Sequence, residues 1–165
     1  MTTYKAGVRT MKAAIALLLC LFSATSMALE TGERLAPWTL LDQHDQAYTL
    51  DDQLQVLLVA RSMDAAKLVD AALQGKPNGY LEQRHTVFLA DISRMPSIIG
   101  KLFAIPKMRD YNYRVLLDRD ARIAPRYPAD NASVLWLDLR QGQLQGQRRF
   151  TDATELAQAL EAVGR

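Results

Sequence analysis

Val56-Leu57-Leu58-Val59-Ala60, followed by Arg61-Ser62-Met63-Asp64-Ala65-Ala66, decides how the rest of the chain is read. A short apolar run between polar neighbours fits a strand covered on both faces. Directly after it, Ala65, Leu68, Val69, Ala72 and Leu73 recur at helical spacing, Asp64 is placed to cap the start, and Gly75 and Pro77 mark the stop. Toward the C-terminus the alternation repeats. Val87 to Ala90 is a second buried strand, followed by Pro96 at a first helical turn and by Ile98, Ile99, Leu102 and Phe103 along one helix face. Val115 to Leu117 and Val134 to Leu137 are further apolar runs, and the Arg140-Gln141-Gly142-Gln143 turn introduces an antiparallel strand from Leu144 to Phe150. Asp152 and Glu155 then have capping-box spacing ahead of a helix with Leu156, Ala159, Leu160 and Val163 as its apolar stripe, ending at Gly164. Toward the N-terminus, Trp38 to Leu41 and Ala47 to Leu50 flank the turn formers Asp42-Gln43-His44-Asp45, which predicts a hairpin after a polar lead-in from Leu29 to Pro37. The class is α/β, a mixed sheet covered on both faces and flanked by helices, with the hairpin as an N-terminal extension.

The 165 residues, 49% apolar and 23% charged, suffice for one compact domain. No internal repeat or shift of composition marks a linker, so residues 29–165 are read as a single domain. Residues 1–28 read as a signal peptide. Lys5, Arg9 and Lys12 precede an apolar run from Ala13 to Phe22, with no acid before the small-residue stretch Ser23 to Ala28. Ser26 and Ala28 suit the −3 and −1 pockets of a signal peptidase, which predicts cleavage after Ala28 and a periplasmic or secreted protein. Met11-Lys12 also reads as a start, and either start gives the same mature chain. The ten apolar residues fall short of the roughly 20 that a spanning helix needs. Leu19, just before Cys20, is not the small residue expected at a lipidation site. The formal charge of +2 belongs to this leader. Removing its three basic residues from the total of 20 leaves 17 against 18 acids.

Cys20 is the only cysteine, so the mature chain has no thiol, disulfide or Cys-ligated metal chemistry, and His44 and His85 alone do not make a His-rich metal site. Asp42, His44 and Asp45 could be taken for metal ligands, but adjacent turn residues point apart into solvent. Arg148-Arg149 is the best case for nucleic-acid binding, yet two adjacent strand residues face opposite sides and build no stripe. Gly75-Lys76-Pro77-Asn78-Gly79 lacks the spacing of a phosphate cradle and reads as a helix stop. Asn131-Ala132-Ser133 matches a glycosylation sequon by pattern only. No cofactor is implied.

The hairpin with Asp42, Gln43 and Leu50, the run from Val56 into a helix, the stretch Asp118-Arg119-Asp120-Ala121-Arg122-Ile123-Ala124-Pro125-Arg126-Tyr127, and Val134-Leu135-Trp136-Leu137-Asp138 with Gly142 together resemble the thioredoxin-like superfamily, in particular its peroxiredoxin and periplasmic thiol-oxidoreductase branch. The resemblance spans nearly all of residues 29–165 and implies a thioredoxin-like mixed sheet. Glu30-Thr31-Gly32-Glu33-Arg34, followed by Pro37, also resembles the mature start of exported, cysteine-free members of that superfamily. Active members carry a catalytic Cys, often Cys-x-x-Cys, in the loop that here reads Arg61 to Ala66, at a helix N-terminus that lowers the thiol pKa. They also carry a cis-proline where Ala132 stands; a cis bond without proline costs about 2.5–4 kcal/mol, which predicts a trans Asn131–Ala132 bond.

With both marks missing, the family's disulfide and peroxide chemistry does not carry over, and the expectation is a redox-inactive binding or accessory module. Its candidate site is the groove between Arg61, Ser62, Met63 and Asp64 on one side and Asn131, Ala132 and Ser133 on the other. Family members bind extended segments there by backbone pairing. Arg61 is the candidate partner for an acidic group and Tyr127 the candidate aromatic wall. The expected occupant is a segment of an envelope protein or a small ligand. The alternative is an enzyme of non-thiol type, a hydrolase or an oxidoreductase using an external cofactor, with Ser62, Asp64, His44 or His85 as nucleophile or acid–base groups.

Overall fold

The chain is seen in a computed structural model that describes residues 29–163; the signal-peptide reading and Gly164 lie outside them. In order, β1 (Thr39–Leu41) and β2 (Ala47–Thr49) form the hairpin, and β3 (Val56–Ala60) leads into α1 (Met63–Leu73). A 3₁₀ turn, Glu82–Arg84, precedes β4 (Thr86–Asp91). The following helical run comprises α2 (Ser97–Ile99), a π turn (Gly100–Ala104) and α3 (Ile105–Met108). Then come β5 (Val115–Asp118), a second 3₁₀ turn (Ala124–Arg126), β6 (Val134–Arg140), β7 (Gln143–Phe150) and α4 (Ala153–Ala162).

The main sheet has the order β5-β4-β3-β6-β7, with β3, β4 and β5 parallel and β6 and β7 antiparallel to their neighbours. This is the predicted mixed sheet with its hairpin extension. β3 sits in the middle and all five of its residues are buried. Alternation along it divides the core. Val56, Leu58 and Ala60 face α1 and α4 through Val69, Leu73, Leu156 and Leu160. Leu57 and Val59 face Leu35, Trp38, Ile123 and Tyr127. Successive steps from β3 to β4 to β5 run in one direction, so right-handed crossovers place α1 and the 97–108 run over the same face. The other face is closed by the hairpin, its lead-in and the 123–129 segment.

The β6–β7 turn has Gln141 at φ 50° and Gly142 at φ 76°, the left-handed pair that a tight hairpin of matching twist requires. Pairing then slips. Asp138 faces Gly146 but Leu139 faces Leu144, leaving Gln145 as an extra residue. That bulge reverses the side-chain parity, which is why Leu144 and Phe150, six residues apart, enter opposite halves of the core.

Two local expectations are corrected. The α1 cap is Ser62 rather than Asp64: Ser62 has extended backbone, φ −142° and ψ 164°, and its Oγ accepts the Ala65 N–H at 3.0 Å. Nor do all the hairpin-turn residues point into solvent, since Asp42 and Gln43 are buried. Asp42 Oδ1 accepts the N–H groups of His44 and Gln46, and its Oδ2 lies 2.7 Å from Arg114 Nε. Gln43 donates to the Tyr113 carbonyl and accepts from the Val115 N–H, tying the hairpin tip to the start of β5. Thus the turn is a strut of the core.

Candidate functional site at the C-terminal ends of the parallel strands

Parallel strands in an open α/β sheet present their carboxyl ends together, and there the crossover loops gather. Arg61 follows β3, Asp91 ends β4 and Asp118 ends β5, with Asp91 and Asp118 in direct register. β6 is antiparallel, so the 129–133 segment that precedes it arrives at the same end.

Ser62 joins the two sides of the expected groove. Besides capping α1, its hydroxyl donates to the Asn131 carbonyl at 2.6 Å. Asp130 organises the opposite loop. One carboxylate oxygen accepts the Ala132 N–H at 2.9 Å, the Ser133 N–H at 2.8 Å and the Ser133 hydroxyl at 2.8 Å, while the other lies 3.5 Å from Arg149 Nε. The Ser133 hydroxyl, helped by these amides and by Arg149 and opposed by partial burial, holds the Asp130 carboxyl below the usual range. No peptide bond among the described residues is cis, so Asn131–Ala132 is trans.

Each predicted site residue has a definite place. Met63 is about half exposed, and Asp64, Asn131 and Ala132 are also exposed, so these four form the accessible lips. The Ser133 side chain is buried beneath them. Arg61 does not reach outward for an acidic group. Its side chain is 24% exposed, its Nε sits 3.6 Å from the buried Asp91 carboxylate, and Nη1 reaches the Ala129 carbonyl at 3.5 Å. Tyr127 is not a groove wall, because it is 4% exposed and its hydroxyl accepts the Trp38 indole N–H at 2.7 Å in the other half of the core. Burial pushes the Tyr127 phenol above its ordinary value, with the Trp38 N–H partly opposing.

Asp91 and Asp130 were missed in the sequence. Their signal was local: Asp91 accepts from both the N–H and hydroxyl of Ser93, and Asp130 uses the same short forward spacing toward Ala132 and Ser133. The histidines lie elsewhere. His85 precedes β4, at the opposite end of the parallel strands from Ser62, and His44 is in the hairpin turn. Asp42 turns to Arg114, whereas Asp45 turns outward to Arg109 and Arg119, so these acids do not converge around His44. Arg148 pairs with Asp138 over the Trp136 ring, and Arg149 turns to Asp130 and the Pro128 carbonyl, which separates the two arginines as their strand parity requires. A cleft of about 770 Å³ opens at the far end of the sheet, beside His85, Gln55 and Asp138.

The fold is thioredoxin-like: a central strand running into a helix at its carboxyl end, an antiparallel strand beside it entered from the loop across the groove, and a closing hairpin and helix. Solved structures bear this out. A putative protein disulfide isomerase from Bacteroides thetaiotaomicron aligns over 82% of this chain and 91% of its own at 18% identity, with a TM-score of 0.54. A putative thiol:disulfide interchange protein DsbE from Chlorobium tepidum aligns over 82% and 99% at 14% identity, also with a TM-score of 0.54. Peroxidoxin BcpB from Mycobacterium tuberculosis aligns over 83% and 99% at 14% identity, with a TM-score of 0.51. The likeness is one of fold. No family profile and no curated protein sequence matches the chain.

Proposed function

We propose that the chain is an exported, redox-inactive thioredoxin-like module that binds a segment of an envelope protein or a small ligand across the lips formed by Met63, Asp64, Asn131 and Ala132. One observation carries the reading. In the loop where thioredoxin-like enzymes carry their thiol stands Ser62, with its hydroxyl held between the Ala65 N–H and the Asn131 carbonyl. A hydroxyl in that arrangement is a clamp, and among the described residues it hydrogen-bonds to no side-chain base that would make it a nucleophile. Residues 29–165 contain no cysteine, and the basic, apolar and small-residue layout of residues 1–28 supports export.

The loop's inner amides are already taken by Asp130, so contact falls to exposed side chains and the remaining backbone groups. The test compares the parent with a Met63→Glu, Ala132→Glu variant in affinity capture from a cell-envelope extract, alongside a dithiothreitol-driven disulfide reduction assay. A partner held by the parent and lost by the folded variant, with no reductase turnover, is the expected result. Turnover, or a partner held equally by both proteins, overturns the reading.

A further inference from the structure

The helical run 97–108 carries four of the six exposed large apolar side chains among the described residues: Ile98 at 69%, Ile99 at 50%, Leu102 at 63% and Phe103 at 67% exposed. The sequence reading grouped them as one helix face, and they do share a side, but it is turned to water. The core side is supplied by Met108, with Ala104 and Ile105 packed partly against it. Within the run the Ile105 N–H donates to the Gly100 carbonyl, five residues back, and this wider π turn changes the angular spacing between the two apolar pairs and the inward residues. Contiguous exposed apolar surface of this kind marks a contact that the isolated chain does not make.

Charge identifies what makes the contact. Between Ile92 and Arg109 there is no acidic residue, and Arg94, Lys101 and Lys107 are exposed around the apolar side chains. None of these three has an ion-pair partner among the described residues, whereas Arg109 is engaged with Asp45. A second copy of this chain docked face to face would bring two such sets of cations together, since Asp120, the acid that lines the cleft beside Lys101, is offset by its neighbour Arg119. An anionic lipid surface instead offers acyl chains to the apolar side chains and phosphates to the cations. We propose that the 97–108 helix lies on an anionic lipid surface, with Ile98, Ile99, Leu102 and Phe103 at the acyl boundary and Arg94, Lys101 and Lys107 against the headgroup phosphates. This is attachment in the plane of the surface; no helix among the described residues is long and apolar enough to cross a membrane. The inference stands apart from the proposed binding site and survives if that reading fails.

The test uses the full chain with vesicles of phosphatidylcholine alone or mixed equally with phosphatidylglycerol. Parent and variants share residues 1–28, so comparing them cancels what that segment contributes. Trp38 and Trp136 are buried, so the tryptophan of a Phe103→Trp variant reports the helix itself. Its emission is expected to move to shorter wavelength with the mixed vesicles and to return in about 1 M salt, where screening acts within about 3 Å. Lys101→Gln with Lys107→Gln is expected to weaken co-sedimentation by about thirtyfold, the factor for two cations at an anionic surface. Leu102→Ser with Phe103→Ser should abolish the helix's share of binding while the urea midpoint stays unchanged. An emission at position 103 that ignores the vesicles, or responds equally to both kinds, overturns the proposal. So does a lipid-free dimer that the Leu102→Ser, Phe103→Ser variant loses, which would assign the face to a second copy.

Discussion

Asp42 and Asp130 each fold a loop by accepting neighbouring N–H groups and facing a distant arginine, and the pH dependence of stability follows from that geometry. For Asp42, burial acts to raise the pKa, but the Gln46 and His44 N–H groups and Arg114 outweigh it, and the carboxyl lies below its ordinary value. The unfolded chain therefore takes up this proton first as pH falls. The stabilisation is complete above about pH 4, the ordinary aspartate range, and is lost as pH falls through the lowered value. Asp42→Asn is expected to cost about 1–3 kcal/mol at neutral pH and to flatten the fall of the urea midpoint below pH 4, measured by denaturation at a series of pH values. In the sequence Asp42 was legible as a turn former and Asp130 not at all, and the arginine contact of neither could be read there. What distinguishes them from a solvated turn acid is an arginine 72 residues away for Asp42 and the β7 residue Arg149 for Asp130, and only the folded sheet supplies those. Arg61 was legible as a residue just past a strand end, but its turn toward Asp91 depends on the parallel pairing of β3 with β4.

At the scale of elements, the strands were the most legible because β3, β4, β5 and β6 are short apolar runs that a sheet core accepts on both faces. Helix boundaries were less so. Ser62 and Asp64 are both good caps by residue type, and the choice between them depends on which backbone unit is extended where β3 ends. Ser62→Ala removes the cap and the bridge to Asn131 together. It is expected to lower the unfolding free energy by about 1–2 kcal/mol and to speed amide hydrogen exchange in the first turn of α1, while Asp64→Ala leaves both nearly unchanged. The helical run 97–108 was legible as a helix with an apolar face but not in the direction of that face. Helical spacing says which side chains share a side, and cannot say that α1 and α4 have already filled the neighbouring core.

Across the whole molecule, the two halves of the core meet only through the sheet, with Trp136 on the helix side and Trp38 on the hairpin side. The fold likeness to thiol enzymes was legible from strand order and loop positions, and the lack of a thiol in residues 29–165 was legible directly, since no cysteine follows Cys20. A thioredoxin-like fold whose stability owes nothing to a disulfide should unfold identically with and without reductant. Urea titrations of the chain from Leu29 onward, in air and in excess dithiothreitol, are expected to superimpose within about 0.5 kcal/mol, the usual scale of changes that touch no specific interaction. A shift larger than that would require a redox-active group bound to the protein.

The bulge at Gln145 reaches further than the parity of two core residues. β7 is the outermost of the five strands on its side of the sheet, and its first residues are already bonded to the lead-in, Gly32 N–H to the Leu144 carbonyl, Leu144 N–H to the Glu33 carbonyl and Leu35 N–H to the Gly142 carbonyl. An unpaired strand edge, by contrast, is a template on which other chains can add and grow into fibres. Here the kink falls within an edge that also carries Arg148 and Arg149, each held by an ion pair. An incoming strand would meet the bonded lead-in, then a broken ladder, then two ion-paired cations, and each of these disfavours the addition of a further strand at this edge.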